Sequence, residues 1–302
     1  MEQKKGQQLN QRFAMLGELT PEKTSGLAFS LATVLPYVLV VVFAIVCMMA
    51  GLLTEGVETQ DWYLYASYLM PQVSFAAVAV AYFCLTKASV KTLVGKPKAV
   101  DFVLAIALQF GLLSLGQVNG WFIEWLNGFG LSVTEPTIPS MDGFGVFGVL
   151  FVVAVLPAVF EEVLFRGIIL KGLKGSVWVS ALICGAMFSL FHQNPAQTFY
   201  QFFCGVAFAL IAIRAGSILP TVVAHFLNNA FIILSVKFAW NVYTLPVLID
   251  SVVCLVLTLA YLVVSLTKTE TGKKSDKKQF FLYASVGLAV CAIGWISGLF
   301  GV

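Results

Sequence analysis

Nine long apolar runs, at about 27–53, 62–86, 100–118, 143–166, 177–193, 197–214, 217–236, 243–267 and 280–301, fill most of this 302-residue chain. Only helices satisfy their own backbone hydrogen bonds in lipid, and the runs are too continuous for barrel strands. The fold class read from them is an all-α polytopic membrane protein of about nine transmembrane helices. Charged residues make up only 11% of the chain, against about 25% in soluble domains, so a wetted surface could not be built. A secreted disulfide scaffold, a nucleic-acid binder and an ordinary cytosolic enzyme are excluded on that ground. The bilayer is the first partner implied, and nucleic acid is not one. The six cysteines all sit in apolar runs without a Cys-x-x-Cys pair and read as small core hydrophobes.

Charge placement orients the spans. Loops that alternate from the N-terminus hold 16 Lys and Arg residues, including the Lys268–Lys278 stretch, whereas the opposite loops hold only Lys237. The positive-inside rule then places the N-terminus in the cytoplasm and the C-terminus across the membrane. The expected organisation is a cytoplasmic segment at 1–26 and one transmembrane domain at 27–302. No signal peptide is evident, because the first run is long enough to remain as a span. A polar, Trp-rich connection is expected at 119–142. The expected location is the plasma membrane, and oligomeric state is not legible.

Ionisable groups inside spans are costly unless paired or wet, which makes them functional candidates. Span four holds Glu161, Glu162 and Arg166; span five ends at His192; span seven holds His225, Asn228 and Asn229. Both histidines of the chain lie in membrane segments. Successive helical residues point about 100° apart, so Glu161 and Glu162 are not expected to share a target. Glu162 and Arg166, at i and i+4, suit an intrahelical ion pair, which leaves Glu161 free. His225 and Asn229 share a face with Asn228 nearby, and Phe188 lies one turn below His192. A carboxylate, two imidazoles and a carboxamide suit activation of a water and stabilisation of an oxyanion, that is, hydrolysis of a peptide or ester bond. A structural reading, a proton-coupled carrier using the same Glu and His residues, and bis-histidine haem ligation remain as alternatives. Haem would leave both glutamates and Asn229 without a role.

Glu161-Glu162-x-x-x-Arg166, Phe188-x-x-x-His192 and His225-x-x-x-Asn229, with the approach RAGSILPTVVAHFLNN from Arg214, resemble the three signatures of the CPBP family. These are the CAAX proteases and bacteriocin-processing proteins, also called Abi. The resemblance covers about 145–235, and short loops make the chain similar to bacterial members. It implies an intramembrane endopeptidase whose peptide or protein substrate, of CAAX, leader, pheromone or bacteriocin type, enters from the cytosolic side. Glu161 would activate water with His192, His225 and Asn229, supported by Glu162, Arg166, Phe188 and Asn228. The family is often classed with metalloproteases; a zinc ion would draw on Glu161, His192 and His225, with water as fourth ligand. No cofactor is fixed by the residues themselves and a divalent metal such as zinc stays open, while Asn229, which suits an oxyanion better than a metal, favours direct activation of water by Glu161. His192 lies about 22 Å along its run, deeper than Glu161 and His225 at about 8–14 Å, so span five either starts below the interface or breaks near Gly185.

Overall fold

The computed structural model describes residues 20–301 except 132, 134–136, 242, 268, 270–271 and 273. Most of the expected N-terminal segment, and part of the 268–278 loop, lie outside the described residues. The described chain is helical: α1 Pro21–Met49, α2 Asp61–Thr86, α3 Ala99–Leu112, α4 Ser114–Asn127, α5 Gly145–Leu173, α6 Val177–Phe191, α7 Thr198–Ala215, α8 Leu219–Lys237, α9 Leu245–Leu266 and α10 Lys277–Leu299. Helix starts follow local chemistry. Thr20 caps α1 ahead of Pro21, and Asp276 Oδ1 accepts from Lys278 N and Gln279 N at the start of α10.

Among the described residues, eight helical stretches are long and apolar enough to cross a membrane. Two expectations shift. The third span does not stop at 118: α3 and α4 form one 29-residue stretch, Ala99–Asn127, so the connection begins only after Asn127. The fifth run becomes α6, a 15-residue helix below the length of a full crossing. It is unbroken at Gly185. That glycine is instead a contact with α7, where an added β-carbon would lie 2.8 Å from Val206 N. The break at Gly185 is thus not present, and the helix is short, ending at Phe191.

Large apolar side chains face outward, such as Val41, Val46 and Met49 on α1 and Val256, Leu257 and Val264 on α9. With lipid outside, burying them inside would add no driving force, so helices meet through small and hydrogen-bonding residues. On the α1–α10 contact, Ser30 Oγ donates to Tyr283 O at 2.7 Å and accepts from Gly287 N at 3.1 Å. Ser25 Oγ of α1 donates to Ile168 O of α5 at 2.8 Å. Cys47, Cys184, Cys204 and Cys291 are buried as expected of core hydrophobes, whereas Cys84 is exposed.

The lysine-bearing loops gather at one end. Lys171 Nζ donates to Thr92 Oγ1 at 3.2 Å, Ser275 N to Lys174 O at 3.0 Å, and Ile218 N to Leu93 O at 2.9 Å. Arg214 pairs with Asp101 and reaches the Tyr261 hydroxyl at 3.2 Å. Lys237 pairs with Asp142 instead, in the alternate set of loops.

Candidate active site

The centre of the site is α5, and its backbone is irregular where it matters. Pro157 has no N–H to give to the carbonyl four residues back, so Val153 O is released from the helix ladder. The ladder widens to π-turns at Leu150–Val155 and again at Val163–Ile168, on either side of the regular turn Leu156–Glu162. Asn229 Nδ2 of α8 donates to the released Val153 O at 3.0 Å. A proline in span four thus fixes an amide in span seven.

Glu162 is fully buried and bridges two partners through one oxygen. Arg166 Nη1 donates to Glu162 Oε1 at 2.8 Å, and His225 Nδ1 lies 2.9 Å from the same atom. Arg166 Nη2 donates to Gly205 O at 3.1 Å, and the guanidinium carbon sits 4.6 Å from the Phe188 ring centroid and 5.3 Å from that of Phe208. The cation is therefore neutralised on one side and wrapped in aromatic faces on the other. The expected Glu162–Arg166 pair is present, and Phe188 packs on it as well as on His192, 4.7 Å between rings.

The expectation that the two glutamates face different targets is corrected. His225 Nε2 lies 3.9 Å from Glu161 Oε2 while Nδ1 holds Glu162. An imidazole carries nitrogens on opposite edges, so one ring can answer two carboxylates that diverge along a helix. Glu161 Oε2 is buried and has no hydrogen-bond partner. His192 packs edge-on to the Phe188 ring, which also lies 6.0 Å from the His225 ring, so the two imidazoles flank one phenyl group. His192 Nδ1 lies 2.8 Å from Phe188 O, where only an N–H can answer a carbonyl, so Nε2 is left as the acceptor in the neutral ring. Phe188 O is available because the helix end tightens, His192 N donating to Ser189 O at 3.2 Å.

Asn228 does not turn to Glu161. Its Oδ1 accepts from the Tyr200 hydroxyl at 2.7 Å and from Gln109 Nε2, and its Nδ2 donates to Asn229 Oδ1 at 3.0 Å. Gln109 on α3 and Tyr200 on α7 were not singled out in the sequence. The buried amide at Gln109, inside an apolar run, is the signal that could have found them.

Among the described residues no group of three His, Cys, Asp or Glu side chains gathers as a metal-holding set, while both imidazoles are anchored through Nδ1 and keep Nε2 for water or another ligand.

Among the described residues the fold is helical, and a carboxylate–imidazole–guanidinium cluster is buried at its centre. Residues 143–231, under a third of the chain, match the family described as Type II CAAX prenyl endopeptidase Rce1-like, and in that segment the chain is similar to that family. No curated protein and no solved structure matches the chain. The match favours a hydrolase over the carrier reading.

Proposed function

We propose that the chain is an intramembrane endopeptidase in which Glu161 activates the attacking water. The observation that carries this is the gap between Glu161 Oε2 and His225 Nε2. At 3.9 Å it is too wide for a direct hydrogen bond and narrow enough for both atoms to contact one water oxygen. Glu161 accepts a proton from that water as its oxygen bonds to the scissile carbonyl carbon. The second Asn229 amide hydrogen stabilises the resulting oxyanion, and His225, anchored through Nδ1 on Glu162, orients the water with Nε2. Collapse breaks the C–N bond, and the proton on Glu161 passes to the leaving amine, leaving a carboxylic acid, which keeps the other water proton, and an amine as products. Glu162 and Arg166 keep His225 in place, and His192 Nε2 accepts a hydrogen bond from water or substrate.

The substrate is proposed to be a peptide or membrane-associated protein entering from the cytosolic end, where the lysine-rich loops gather. The test is mass spectrometry of membrane peptides from cells making the wild-type protein or Glu161→Gln. Peptides that disappear with Glu161→Gln identify the products. An unchanged peptide set, with both proteins present at equal levels, would overturn the reading.

A further inference from the structure

The turn that carries His192 is assembled from three helices. Gln193, the next residue, has φ of +52°, in the left-handed region that few non-glycine residues adopt. The Tyr37 hydroxyl of α1 donates to Gln193 Oε1. From α10, Gly294 faces that same oxygen so closely that a β-carbon there would collide with it. A β-carbon on Gly298, one turn on, would lie 2.7 Å from Pro195 Cδ. The turn forms one wall of a cavity of about 710 Å³, which Tyr37, His192, Gln193, Asn194, Ile293 and Ser297 help to line. Tyr37 and Gly294 both lie outside the family-matched segment 143–231.

We propose that Tyr37 and Gln193 are positioning residues for His192, with Gly294 supplying the seat on which the Gln193 amide rests. The causal link is the Phe188 carbonyl. Were the helix to continue past 191, His192 N would take Phe188 O, as the i to i−4 ladder requires. The left-handed turn at Gln193 stops the ladder, so His192 N donates to Ser189 O and Gln193 N to Leu190 O at 3.0 Å, and Phe188 O passes to the imidazole. The clamp therefore sets both the direction of the ring and the nitrogen that carries its proton. Its importance for catalysis rests on the reading of His192 as part of the hydrolytic site; the positioning itself does not.

Because the chain has two histidines, ¹⁵N-histidine labelling in detergent gives two imidazoles, and His225 serves as an internal reference. Tyr37→Phe removes the donor, and Gly294→Ala displaces the amide. Both are expected to move the His192 nitrogen signals away from the Nδ1–H tautomer, leave His225 in place and lower kcat by about tenfold or more with KM little changed. Gln193→Glu, which keeps an acceptor for Tyr37, is expected to retain the wild-type His192 signals. Unchanged His192 signals in both Tyr37→Phe and Gly294→Ala would overturn the proposal. If those signals move but Glu161→Gln still cleaves, the hydrolytic reading fails and the positioning stands. If Glu161→Gln is inactive and the signals stay still, the reverse holds.

Discussion

At the scale of single residues, the adjacent glutamates divide by what surrounds them. Glu161→Gln keeps shape but removes the proton acceptor, and cleavage is expected to fall about 10²–10⁴-fold with the melting temperature in detergent retained. Glu162→Gln leaves Arg166 buried without its counter-charge, which costs about 3–5 kcal/mol, so yield and melting temperature fall with activity. Glu162→Gln with Arg166→Gln is expected to recover part of that stability. It is not expected to recover cleavage, because His225 Nδ1 still lacks its carboxylate. An active Glu161→Gln beside a stable, inactive Glu162→Gln would reverse the assignment. Direct activation of water also predicts that exhaustive chelation leaves cleavage intact. Stoichiometric zinc, with activity lost on its removal and restored on its return, would refute that. The Glu162–Arg166 pair was legible because i, i+4 spacing is a property of one helix. The contact of His225 with both carboxylates was not, because it depends on how α8 lies against α5.

Among the elements, α5 shows how a break in one helix serves another. Pro157→Ala restores an N–H that competes with Asn229 for Val153 O. The variant is expected to fold with equal or greater stability while cleavage falls by up to about 10²-fold, as a misplaced site group would cause. Unaltered cleavage would show that the Asn229 amide does not need this anchor. On the other side of Asn228, Tyr200→Phe removes one of two donors, and a loss of about 1 kcal/mol in stability is expected along with slower cleavage. Equal melting temperatures for Tyr200→Phe and wild type would remove Tyr200 from the network. The proline was readable in the sequence, and the carbonyl it frees lies four residues upstream by rule. Which side chain takes that carbonyl is a matter of helix packing. Likewise α6 reads as a full span by hydropathy but ends at 191, where a turn held by α1 and α10 stops it.

For the whole molecule, the charge asymmetry between alternate loops predicts its orientation in the membrane, with the lysine-rich end cytoplasmic. Lys274→Cys, placed at an exposed position in a background without native cysteines, is expected to react in intact cells with a membrane-permeant maleimide and not with an impermeant one. Reaction with the impermeant reagent would invert the molecule and move the substrate entry to the other face. By itself the sequence determined the helical membrane class, the gathering of positive charge on alternate loops, the intrahelical ion pair and the three segments that hold the polar residues. Each follows from composition or from the helical period, which act along the chain. Only the tertiary structure decided that one imidazole lies beside two glutamates, that Gln109 and Tyr200 hold Asn228, and that the first and last helices touch Gln193 in the turn after His192. Those contacts join residues far apart in sequence, and close packing through small residues and hydrogen bonds, which leaves no pattern of fixed period, sets where they meet.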